Sequence, residues 1–209
     1  MTTHIGKTNS NQNLPFIQWL SELPNLLVRV DRSRRILFLA ACGERQFGNY
    51  ARFHTETNWG NPLALCEGLR VLWNYAGPTD NGEIRRLRKI IEEATPNTED
   101  FKSVYTSGAL DAATVVLESF DYCLDDDINH CVEVACTCRD SVYMFVQLQR
   151  GYDYSDADEV KIYSDPVVMK ELLAQQSDLA MVTSLADGAN PSIIAEKHRC
   201  DADGGSLSK

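Results

Sequence analysis

Apolar residues recur three and four positions apart along most of this chain. Leu65, Leu69, Leu72 and Trp73 follow that rhythm, as do Ile84, Leu87, Ile90 and Ile91. Leu110, Ala113, Val116, Leu117 and Phe120 continue it, and Val132, Ala135, Val142, Phe145 and Leu148 carry it further. A period of 3.6 residues gathers such positions on one face of a helix. No segment has the period of two, bounded by hairpin turn chemistry, that a strand pair requires. The punctuation points the same way. Asn61-Pro62, Ser164-Asp165-Pro166 and Asn190-Pro191 each put a short polar cap before a proline at the first helical position. Ser155, followed by Asp158 and Glu159, reads as another start, and Thr79 or Asp80 can cap the run after it. The pattern predicts helices over 14–29, 33–57 (with a bend allowed near Gly48), 62–76, 80–94, 105–123, 127–149, 156–162, 166–187 and 191–197. The longest non-helical connection falls at 95–104. The predicted fold is all-α: a single compact bundle of seven to nine helices over 14–197, between a flexible segment 1–13 and a disordered tail 198–209.

Composition narrows the class. With 209 residues, 44% hydrophobic and 24% charged, the chain suits one soluble globular domain. No apolar run approaches bilayer-spanning length, so no membrane association is expected. The opening MTTHIGKTNSNQN lacks an apolar core of the secretory kind, which points to the cytoplasm. The net charge of −10 is uneven. Residues 1–100 carry 12 Lys and Arg against 11 Asp and Glu, whereas residues 101–209 carry 8 against 19. The acidic half would repel phosphate backbones and argues against general nucleic-acid binding. It suits a basic protein partner, or simply a solubilising surface.

The seven cysteines are Cys42, Cys66, Cys123, Cys131, Cys136, Cys138 and Cys200. An odd number, with no secretory leader, disfavours a disulfide framework. Cys131, Cys136 and Cys138 lack paired C-x-x-C spacing. On a helix, Cys131 and Cys138 share a face and Cys136 points elsewhere, so buried or half-buried free thiols are expected.

Three polar groups stand out. In the first, Arg45 and Asn49 lie four apart on one helical face with Glu44 adjacent, and Tyr50 and Phe53 follow. Arg45 could fork onto an anion and Glu44 could act as acid or base, or the pair could tie this helix to a neighbour. In the second, Asp111 and Glu133 are embedded in apolar helical runs, where a carboxylate needs a partner. Salt links from Asp111 or Glu133 to Arg45 are predicted. His130-x-x-Glu133 reverses the Glu-x-x-His order of helical di-metal sites and occurs once, so no metal and no cofactor is predicted. In the third, Arg29, Arg32, Arg34 and Arg35, and then Arg85, Arg86, Arg88 and Lys89, read as solvated helix faces that pair with the acidic half. No nucleophile elbow, phosphate loop, dinucleotide fingerprint or H-E-x-x-H is present.

A family resemblance rests on residues in order: Cys42-x-Glu44-Arg45, Asn49-Tyr50, Phe53 and Trp73. It continues through Ala94-Thr95-Pro96, Asp100, Ala109-Leu110-Asp111-Ala112, His130-x-x-Glu133-Val134 and Asp165-Pro166. From about Ile36 to Leu185 the chain resembles the bacterial YjaG-like proteins, domain of unknown function 416. The resemblance implies a compact, wholly helical domain and brings no established activity, substrate or cofactor.

Two readings of function follow, from different classes. The first is a non-enzymatic, cytoplasmic protein-binding factor, in one version an inhibitor or immunity-like factor that masks a basic protein. The second is an enzyme or small-molecule binder with a pocket lined by Glu44, Arg45, Asn49, Tyr50 and Trp73, and Asp111 and Glu133 behind. A structural homodimer is a third reading and needs a large exposed apolar face.

Overall fold

A computed structural model of the protein describes residues 14–75, 81–153 and 155–186. Among the described residues there are eight helices and no strand. They are α1 (Pro15–Leu27), α2 (Arg32–Thr57), α3 (Pro62–Trp73), α4 (Asn81–Glu93), α5 (Thr106–Asp125), α6 (Ile128–Arg150), α7 (Asp156–Tyr163) and α8 (Pro166–Ser184). They match the predicted helices in order. The helix predicted over 191–197, the caps at Thr79, Asp80 and Asn190, and both terminal segments lie outside the described residues.

Side-chain caps set several of the helix starts. Asn61 Oδ1 accepts from the Ala64 amide at 3.1 Å, Ser155 Oγ from Asp158 at 3.2 Å, and Asp165 Oδ1 from Val167 at 2.9 Å. Each satisfies a backbone donor that the first turn leaves open. Asp31 and Asp127 do the same for α2 and α6.

Helix α2 is the axle of the bundle. Every residue from Ile36 to Glu44 is buried. A helix with one core face buries only every third or fourth position, so an unbroken buried run requires neighbours all round. Helix α5 packs along it most extensively, and α3, α6 and α8 occupy its other sides. Helix α1 lies against α6 and α8, and α4 against α3 and α5. One apolar cluster joins them, from Phe16 of α1 through Phe38, Leu65, Leu87, Phe120 and Val134 to Val182 of α8. No helix of the described residues is long and apolar enough to cross a membrane.

In the first arginine group only Arg29 is solvated; Arg32, Arg34 and Arg35 turn inward. Arg35 Nε donates to the carbonyls of Leu27 (2.9 Å) and Val30 (2.8 Å), closing the end of α1. Arg32 Nη2 donates to Cys123 O at 2.6 Å in the last turn of α5, with the guanidinium 5.4 Å from the Tyr75 ring centre. Arg34 Nη2 donates to Leu185 O at 2.7 Å, just past α8. Helix C-termini leave carbonyls without intrahelical donors, and guanidinium forks supply them here. The second group is divided. Arg85, Arg86 and Lys89 are exposed, while Arg88 grips Asp121 of α5 through Nε and Nη2 at 2.6 and 3.0 Å.

Cys42, Cys123, Cys131 and Cys138 are buried and Cys136 is half-buried, whereas Cys66 is exposed. Burial pushes the Cys123 and Cys131 thiols up to about 12. At neutral pH these sulfurs are protonated and serve as small apolar packing groups.

Candidate functional site

Adjacent residues on a helix project about 100° apart, and this separates Glu44 from Arg45. Glu44 turns toward α3, where its Oε1 accepts from the indole N–H of Trp73 at 3.0 Å. Arg45 turns toward α8. Its Nε and Nη2 meet the two oxygens of Glu171, each at 3.0 Å, in a two-pronged pair. Its Nη1 donates to Asp178 Oδ2 and to Ala41 O (3.2 Å), and its Nη2 also meets Cys42 Sγ at 3.4 Å. A guanidinium has five N–H groups, and five contacts use them.

The predicted partners of Arg45 are therefore corrected. They are Glu171 and Asp178, not Asp111 or Glu133. Glu171, Gln175 and Asp178 are spaced four and three apart, on the buried face of α8 that also carries Val168, Leu172, Leu179 and Val182. That spacing was the available signal: two acids on an apolar helical face must meet a cation. Gln175 extends the network. Its Nε2 donates to Glu171 Oε1 (3.0 Å) and to Ala135 O of α6 (3.1 Å), and its Oε1 accepts from Trp19 Nε1 of α1 at 2.9 Å. One polar chain thus links α1, α2, α6 and α8.

The other predicted residues are dispersed. Asn49 Nδ2 donates to Gln46 Oε1 at 3.1 Å, and its side chain lies over Gly108 of α5, where a Cβ would sit 3.2 Å from it. Tyr50 is fully buried. Its hydroxyl accepts from the Asn61 amide at 3.0 Å and donates to Ala94 O, riveting the start of α3 to the end of α4. Gly60 sits at φ +90°, and a Cβ there would meet the Tyr50 oxygen at 2.5 Å, so this turn requires glycine.

Asp111 is half-buried and hydrogen-bonded to Ser141 of α6. Burial raises its pKa to about 6; the Ser141 bond opposes the rise and the charge of Asp140 adds to it. Glu133 is exposed: its neighbour Val134 faces the core and Glu133 faces away. The apolar run around it misled, because adjacent helical positions point in different directions.

His130 bridges Glu118 (2.6 Å) and Asp125 (3.1 Å). Burial works against its charge, but the two carboxylates outweigh that and hold its pKa above the ordinary histidine value. Among the described residues no group of three or more His, Cys, Asp or Glu could hold a metal ion.

The arrangement can cross-link helices. It does not bring Glu44, Arg45, Asp111 and Glu133 into one reacting constellation.

Comparison with known proteins agrees with the fold. The chain is 30% identical to the "Uncharacterized protein YjaG" of Escherichia coli (strain K12) over 149 residues, covering 69% of this chain and 74% of that protein. The Salmonella typhimurium protein of the same description is 28% identical over the same coverage. The crystal structure of a DUF416 family protein from Shewanella baltica OS155, determined at 1.91 Å, superposes with a TM-score of 0.76 at 19% identity, over 88% of this chain and 95% of that one. The family described as "Protein of unknown function (DUF416)" matches residues 24–206, and the chain belongs to it.

Proposed function

We propose that this protein is a cytoplasmic, non-enzymatic binding factor that docks a basic protein partner on the acidic C-terminal half, in the manner of an inhibitor or immunity factor. The observation that carries the reading is the fate of Arg45. All five of its donors are consumed by the protein itself, so the arginine that the sequence offers as an anion-binding fork has none left for a substrate.

The outer stripe of α6 offers the contrast. Glu133, Asp140, Met144 and Leu148 are exposed at spacings of seven, four and four, so they lie on one side of the helix. Asp140 also touches Arg139, at 2.6 Å. Two carboxylates followed by two apolar side chains suit a partner that supplies cations and an apolar anchor.

The test is affinity capture from the native host at low and high salt, comparing the wild type with E133K/D140K. The reading predicts a basic protein that is retained at low salt, released by high salt, and absent from the double variant. Recovery of no basic protein above background, or equal recovery by the variant, contradicts it.

A further inference from the structure

A shallow, wide-mouthed surface cavity of about 300 Å³ lies between the turn that joins α2 to α3 and the C-terminal end of α4. Trp59, Gly60, Asn61, Ile90, Glu93 and Ala94 line it. Its walls are fixed in advance. The Tyr50 hydroxyl binds both the Asn61 amide and the Ala94 carbonyl, one on each wall. Trp59 is wedged against Phe53 and Phe101, with ring centres 5.9 and 5.1 Å away, and its carbonyl meets His54 Nδ1 at 2.9 Å.

The electrostatics select the occupant. A helix C-terminus carries partial negative charge, which favours basic residues in its last turn. Helix α4 has no basic residue there, and its sequence ends on Glu92-Glu93. Glu93 has Lys89 at 3.9 Å as its ion partner, and both side chains are largely exposed, at 68% and 78%. Such a pair is weak and easily exchanged. None of the six lining residues is cationic. A carboxylate, the negative end of a helix and an indole all favour a cation. The volume lies at the small end of ligand pockets, which suits one side chain better than a cofactor.

We propose that this cavity receives the guanidinium group of an arginine side chain from the basic partner. The stem would lie along Ile90 and the planar head would sit between Trp59 and the Glu93 carboxylate. Guanidinium fits better than ammonium because it is weakly hydrated, stacks on aromatic rings and pairs with a carboxylate through two parallel hydrogen bonds. The inference rests on the basic-partner reading for the source of the arginine and on the cavity alone for the chemistry.

The test is an NMR titration of the full ¹⁵N-labelled chain with N-acetyl-arginine methylamide, read at the three indole N–H signals. Those of Trp19 and Trp73 are hydrogen-bonded inside the protein, to Gln175 and Glu44, and act as internal controls. The Trp59 signal should move with dose while the other two stay, and the neutral citrulline analogue should leave all three in place. E93Q, a change at an exposed side chain, should weaken the response about fivefold, as for loss of a partly exposed ion pair. A stationary Trp59 signal, an equal response to citrulline, or full affinity in E93Q overturns the site.

Capture separates the two proposals. If E93Q retains the basic partner as well as wild type, the cavity proposal fails and the acidic-face reading stands. If no basic partner is captured yet Trp59 still answers to the arginine probe, the acidic-face reading fails, and with it the partner as the source of the guanidinium.

Discussion

At the scale of single residues, the polar groups divide by whether the interior supplies them with an opposite charge. Arg45 is neutralised, Glu44 has an indole donor, and Glu133 is in water. Asp111 is the exception. It lies in the seam between α5 and α6, with a hydroxyl for a partner and a like charge nearby. Its folded pKa of about 6 stands above the ordinary 3.8. Linkage fixes the sign. The stabilisation from the protonated carboxyl is complete below about pH 4 and is lost as pH rises through about 6. Asp111→Asn keeps a neutral side chain that can still hydrogen-bond Ser141. Urea midpoints compared between about pH 4 and pH 7 should show D111N gaining on wild type as pH rises. A difference that stays constant over that window would mean that Asp111 ionises as freely in the folded protein as in the unfolded chain.

At the scale of elements, apolar spacing and caps are strong local signals, and all eight described helices were legible from them. The caps at Asn61, Ser155 and Asp165 do what short polar side chains before a helix are expected to do. Cross-connections were not legible, because they depend on which faces meet. The Arg45–Glu171 pair spans 126 positions; the spacing of Glu171, Gln175 and Asp178 marks acids on the apolar face of α8, but nothing local says which cation meets them. Arg32, Arg34 and Arg35 were misread for a related reason: a cluster of charges beside a helix start looks solvated until the ends of α1, α5 and α8 are brought to it. Tyr50 was noticed in the sequence, but its role as a rivet was not, since both of its partners are backbone groups. Tyr50→Phe removes one hydroxyl and strips the Asn61 amide and the Ala94 carbonyl of their partner at once. It should cost about 1–3 kcal/mol in chemical denaturation. It should also speed amide exchange at the start of α3 and the end of α4 before the rest of the bundle. Wild-type stability and exchange in Y50F would show that the two elements are held by apolar packing alone.

At the scale of the whole molecule, the bundle is an axle, α2, sheathed by α3, α5, α6 and α8, with a polar chain that ties α2 to α8, α6 and α1. Burying ions is costly, and an apolar core of the same volume can be as stable or more so. What the Arg45 network adds is direction. It sets the rotation of α8 against α2 and, through Gln175 and Trp19, positions α1 and α6. With that chemistry spent internally, the two proposed recognition surfaces are both on the outside: the stripe of α6 that carries Glu133 and Asp140, and the cavity beside Trp59. The central claim is that Arg45 is a structural cross-link, and the most direct measurement of it is equilibrium urea unfolding of R45A. Removing the cation leaves the Glu171 and Asp178 carboxylates buried without their counter-charge, so the variant should lose about 3–5 kcal/mol. R45L/E171M/D178L, which removes all three charges, should lose less than R45A alone. An R45A midpoint equal to wild type would contradict the account.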